Sequence, residues 1–163
     1  MTLRIDLPPD REPLGWVWGE AVPKIGPAAA RYSAAVYEHT TLSLREFESA
    51  RARIAQINNC LFCLDWRTER DGEKVDEALF ADVAGWREST GLSDRERLAA
   101  EYAERFAADH LSLDDDEPFW ARMREAYTDA EIIELSMCIG SWIAFGRLNH
   151  VLGIDASCVL PRH

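Results

Sequence analysis

Residues 43–63 read SLREFESARARIAQINNCLFC, and this stretch decides how the chain folds. Ser43 followed three residues later by Glu46 is a capping box, in which hydroxyl and carboxylate each satisfy a backbone amide left unpaired at a helix start. Leu44, Phe47, Ala50, Ile54 and Ile57 then recur at helical spacing and mark one apolar face. The helix is predicted to run to about Asn58. Asn58 and Asn59 form a break and an N-cap, which places Cys60 and Cys63 in the first turn of a further helix.

The same grammar extends in both directions. PAAARYSAAVYEH opens with a proline that suits a first helical turn, and VDEALFADVAGW reads as a helix that stops before Gly91. Ser93 with Glu96 caps a helix lined by Leu98, Tyr102 and Phe106; a polar break precedes the short helix FWARMREAY. Thr128 with Glu131 opens the longest helix, Asp129 to about Leu152, with Gly140 and Gly146 inside it. No segment of strand length alternates with period two. The prediction is an all-α, single-domain bundle of about six helices over residues 28–163. Residues 1–27, with prolines at 8, 9, 13 and 23, are predicted to be an extended arm. Trp16 and Trp18 in that arm should pack on the body or on a neighbouring subunit.

A chain of 163 residues, 47% hydrophobic and 29% charged, is long enough to bury a core without a metal or disulfide framework. The net charge of −11 repels phosphate backbones and anionic lipid, so neither nucleic acid nor a membrane is an expected partner. The first residues carry acids and prolines where a secretory signal needs its apolar segment, and a reducing cytoplasm is expected. Of four cysteines, only Cys60 and Cys63 are close in sequence; Cys138 and Cys158 stand alone.

Two cysteines three residues apart at a helix start have a physical logic. First-turn amides and the positive end of the helix dipole favour a thiolate there, and the two sulfurs are near enough to close. Half of a zinc site is the same pattern, but no second pair supplies the other ligands. Two structural cysteines remain a bland alternative. A thioredoxin fold would need flanking strands, where the chain has a capped amphipathic helix.

The run from Glu48 through Gln56, Asn58, Cys60 and Cys63 resembles the active-site segment of alkylhydroperoxidase D-like proteins of the carboxymuconolactone decarboxylase superfamily. GRLNHVLGID, residues 146–155, is similar to the end of that group's closing helix. The resemblance implies that Cys63 attacks a hydroperoxide, that Cys60 resolves the sulfenic acid, and that Glu48 takes part in a proton relay. It implies no cofactor and no metal, an external dithiol reductant of the lipoyl or thioredoxin kind, and a homo-oligomer, trimer or hexamer. The same superfamily contains lactone decarboxylases, and a redox-sensing oligomer without turnover is a third reading.

Arg67 stands where the resembled pattern has histidine, and arginine cannot act as a general base. One turn past Cys63 it is expected either to lower a thiol pKa by its charge or to pair with Glu48. Glu48 also reads as an ordinary exposed helix acid. Proton carriers from elsewhere are His39, His110 and His150, of which His150, on the closing helix, is the auxiliary candidate; His163 is the last residue.

Overall fold

The structure, a computed structural model, describes residues 2–155. It runs α1 (Pro13–Gly15), a π turn (Trp16–Glu20), α2 (Gly26–His39), α3 (Leu44–Asn58), α4 (Leu61–Asp65), strands β1 (Glu69–Arg70) and β2 (Glu73–Lys74), α5 (Ala78–Ala84), α6 (Asp94–Ala108), a 3-10 turn (His110–Leu113), α7 (Glu117–Ala126) and α8 (Asp129–Leu152). No helix is long and apolar enough to cross a membrane among these residues.

All three capping boxes form, at Ser43, Ser93 and Thr128, and they open the helices that build the core. Their glutamates act twice. Arg45 reaches from the start of α3 to Glu96 of α6 at 2.7 Å, and Arg95 of α6 pairs with both Glu46 of α3 and Glu131 of α8. The same carboxylates that satisfy first-turn amides therefore also align three helix starts.

α3 is the central element, packed on α6 and α8 with α4 and α5 beside it. Its predicted stripe is the core: Phe47, Ala50 and Ile54 are fully buried, against Leu98 and Tyr102 of α6 and Leu135, Ile139 and Trp142 of α8. A smaller cluster, including Leu79, Val83 and Trp86, fills the gap between α3, α5 and α6. Burial of each large apolar side chain contributes about 1.5–3 kcal/mol.

Three details depart from expectation. The arm is not extended throughout: Pro13 occupies a first-turn position, Glu12 accepts from the amides of Leu14 and Gly15, and the chain coils from Pro13 to Glu20 before α2 starts at Gly26. Among the described residues there are eight helices rather than about six, the unforeseen one being α1, three residues long and within the arm. Asp71 and Gly72, both with positive φ, make a two-residue hairpin whose strands are too short to show a period.

The crossing of α3 and α8 fixes where the end of α3, and with it the cysteine segment, sits against the closing helix. Asn58 donates through Nδ2 to the Trp142 carbonyl at 2.9 Å, and Arg147 donates to Asn58 Oδ1 at 3.0 Å. A Cβ at Gly146 would lie 2.6 Å from Asn58 Nδ2, so a larger residue there would displace the Asn58 amide from its bond to Trp142. Gly146→Ala is expected to cost about 1–3 kcal/mol by displacing the Asn58 amide and its buried hydrogen bonds. Urea unfolding of the variant beside the wild type checks it, and an unchanged midpoint would show that the contact yields freely.

Candidate active site

α3 ends where Asn59 takes a left-handed conformation, with φ of 49°, and its amide returns to the carbonyls of Ala55 and Gln56. The chain then reverses so sharply that Cys60 is itself the N-cap of α4, one position later than the expected Asn59, with its Sγ accepting the Cys63 amide at 3.3 Å. Cys60 and Cys63 are joined as a disulfide with Cα atoms 5.2 Å apart. Their surroundings differ. Cys60 is completely buried, whereas Cys63 is part-exposed and opens on a cavity of about 550 Å³.

That cavity is walled mainly by aromatic side chains: Phe62, Trp66, Tyr37, Trp142 and Phe145, closed on one side by Trp18 from the N-terminal segment. The Trp18 ring meets Phe145 edge-on at 4.8 Å, and its indole N–H donates to Asn149 Oδ1 at 3.1 Å. The arm thus packs on its own body through Trp18, as its composition suggested. Burial pushes the Tyr37 hydroxyl up to about 12, against the pull of Arg51. Three residues of the wall, Ser141, Trp66 and Trp142, each carry a buried polar side-chain atom without a hydrogen-bond partner among the described residues.

Glu48 is neither an exposed acid nor a partner of Arg67. It is fully buried and held by both arms of Arg51, Nε to Oε1 at 2.6 Å and Nη2 to Oε2 at 2.9 Å, with the Thr68 hydroxyl donating to Oε1 at 2.6 Å. Arg51, 3% exposed, spends its remaining donors on the carbonyls of Cys63, at 2.7 Å, and Trp66, at 3.0 Å. Glu48 therefore reaches the cysteine segment through Arg51. Arg51 and Thr68 were missed in the sequence; the three-residue spacing of Glu48 and Arg51 was the available signal.

Arg67 does not continue the face of Cys63, because α4 stops at Asp65 and Trp66 is extended. The guanidinium pairs instead with Glu77 at 2.8 Å and lies 3.8 Å over the Phe80 ring. The expected pairing of Arg67 with Glu48 is corrected by that turn of the chain. His150 Nδ1 lies 3.2 Å from Asp155 Oδ2, and that oxygen also accepts the Leu61 amide at 3.1 Å, next to Cys60. His39 and His110 are exposed and outside the cavity wall. Cys138 is in the core, its thiol pushed up to about 12 by burial. Cys158 and His163 lie outside the described residues. Among the described residues, no three His, Cys, Asp or Glu side chains converge as a metal site requires.

The carboxymuconolactone decarboxylase family model matches residues 23–105, which contain α2, α3 and the cysteine pair. The uncharacterised protein YnjA of Escherichia coli strain K12 is 35% identical over 114 residues, 68% of this chain and 61% of that protein, so the match spans less than two thirds of the relative. The uncharacterised protein YdfG of Bacillus subtilis strain 168 is 27% identical over 112 residues, 68% of this chain and 75% of that one. The fold is shared with an Agrobacterium tumefaciens protein of unknown function, suggested to be the antioxidant defence protein AhpD, at a TM-score of 0.68 over 88% of this chain and 94% of that one, with 21% identity.

The Glu48–Arg51 pair makes a quantitative prediction. Arg51→Met strands a buried carboxylate and should lose about 3–5 kcal/mol, whereas Glu48→Gln combined with Arg51→Met should recover much of that loss. A double-mutant cycle by urea unfolding measures the coupling; additive losses would mean the two side chains act independently.

Proposed function

The chain belongs to the carboxymuconolactone decarboxylase family, and from that premise we propose that it is an alkylhydroperoxidase D-like, cytoplasmic thiol peroxidase working through Cys60 and Cys63. The observation that carries the proposal is the unequal burial of the two sulfurs: a substrate in the cavity meets Cys63 and cannot meet Cys60.

The cycle begins with the Cys63 thiolate attacking a peroxide oxygen. The O–O bond breaks, an alcohol leaves after taking a proton, and Cys63 becomes a sulfenic acid. Cys60 then attacks that sulfur, water leaves, and the disulfide closes. An external dithiol, of the lipoyl or thioredoxin kind, attacks the accessible Cys63 sulfur, so that Cys60 departs as the thiolate, supported by the Cys63 amide at its Sγ. The reductant's second thiol then attacks the reductant sulfur of that mixed disulfide, closing its own disulfide and releasing Cys63. Glu48 and Arg51 position the segment through the Cys63 carbonyl.

Lactone decarboxylation fits the site poorly. A carboxylated lactone is an anion, and Arg51, the one cation on the cavity wall among the described residues, is already committed to Glu48 and two carbonyls, while Glu12 adds an acid.

The reading includes a homo-oligomer, trimer or hexamer. α8 is apolar nearly all round, and its outer face exposes Ile133, Met137, Leu148 and Val151, a stripe that suits another copy of the chain. Light scattering after gel filtration should give a mass of three or six chains, reduced by Met137→Glu; a monomeric wild type would remove this part of the reading.

For the chemistry, the reduced protein is exposed to one equivalent of an organic hydroperoxide and its peptides are weighed. The expected product is a Cys60–Cys63 crosslink. Cys60→Ser should stop at a trappable sulfenic acid on Cys63, and Cys63→Ser should leave the peroxide unconsumed. Peroxide turnover that survives Cys63→Ser would sink the proposal.

A further inference from the structure

The two cysteines differ in their access to solvent. Cys63 opens on the cavity, whereas Cys60 is 0% exposed. Each turn of the dithiol cycle must nevertheless place a proton on Cys60 Sγ when the disulfide is reduced and remove it when the disulfide forms. Water cannot do this directly. The ionisable groups on the α3 side and beyond α4 are already engaged: Glu48 by Arg51 and Thr68, Arg51 by Glu48 and two carbonyls, Arg67 by Glu77.

The opposite side differs. α8 ends at Gly153, whose left-handed conformation turns the chain back, and the amide of Arg4 in the N-terminal segment donates to Leu152 O across the same turn. The turn delivers Asp155 to the start of α4. One carboxylate oxygen, Oδ2, accepts the amide of Leu61, the residue bonded to Cys60, at 3.1 Å and lies 3.2 Å from His150 Nδ1. The other, Oδ1, is buried with no hydrogen-bond partner among the described residues. A side chain that is 0% exposed, with half its carboxylate unsatisfied, is costly unless another state of the protein supplies a donor. The Cys60 sulfur carries no hydrogen in the disulfide; reduction creates one there, one residue from the atom that Asp155 already holds.

We propose that Asp155 and His150 are a proton-carrying pair dedicated to Cys60. The inference rests on the dithiol reading of the cysteine pair and concerns its second step. When Cys60 resolves, its thiol proton passes to Asp155, the sulfur attacks Cys63, the S–S bond forms, and the group leaving Cys63 departs with its electron pair and takes up a proton. When an external thiolate breaks the disulfide at Cys63, Cys60 leaves with the electron pair and takes the proton back from Asp155. His150, whose side chain is 26% exposed, exchanges that proton with solvent.

The test separates the second step from peroxide chemistry. Reduced protein is mixed with 2-hydroxyethyl disulfide, which forms a mixed disulfide on Cys63, and its conversion to the Cys60–Cys63 disulfide is followed by intact mass against pH. In Asp155→Asn, which keeps the size and the Leu61 contact, the mixed disulfide should accumulate and resolve about tenfold or more slowly at neutral pH. The deficit should shrink at alkaline pH, where hydroxide takes over from the carboxylate as the base. His150→Gln, at a more exposed position, should show the same pH signature with a smaller deficit, which keeps the test valid if Asp155→Asn folds poorly. Equal resolution rates and equal pH profiles in all folded variants would overturn the pair alone. A wild type whose mixed disulfide never resolves would overturn the dithiol reading and the pair with it.

Discussion

The buried pair of Glu48 and Arg51 is the interaction on which the cysteine site depends. A five-residue helix has no stability of its own in water, since its nucleation is not repaid by so few hydrogen bonds. α4 stays in place because Arg51, anchored to α3 by Glu48, grips the carbonyls of Cys63 and Trp66 in and just past the short helix. Arginine suits this task better than lysine, since its planar fork serves a carboxylate on one edge and carbonyls on another. Thr68 completes the acceptor side of Glu48 and ties in the chain just after the helix.

That anchoring makes the two cysteines unequal. Holding α4 against α3 buries Cys60 and turns Cys63 toward the aromatic cavity. The N-terminal segment closes the same chamber, with Trp18 fixed by both an edge-on ring contact and a hydrogen bond to Asn149. Asn149 and His150 are neighbours on α8, so one turn of that helix faces the cavity wall through the first residue and the underside of the cysteine segment through the second.

Much of the fold was legible because it rests on local chemistry. A capping box is a hydrogen-bond exchange between residues three apart, and Ser43, Ser93 and Thr128 announce theirs without reference to the rest of the chain. The apolar stripe of α3 was equally plain, since Phe47, Ala50 and Ile54 can share a face only in a helix. The arm was harder: proline at the first helical position is compatible with coiling, and what makes it coil here is the side chain of Glu12. Arg67 was misplaced because extrapolating a helix face assumes that the helix continues, and α4 stops two residues earlier.

The sequence by itself determined which segments are helical and that Cys60 and Cys63 sit where a helix begins, because those features depend on hydrogen bonds spanning three or four residues. Only the tertiary structure decided which sulfur faces a substrate, that Glu48 belongs to Arg51, and that Asp155 meets the amide after Cys60. Leu61 and Asp155 are 94 positions apart, and no local periodicity records such a meeting. It depends on the crossing of α3 and α8 at Gly146 and on the turn at Gly153, which are matters of how whole helices pack.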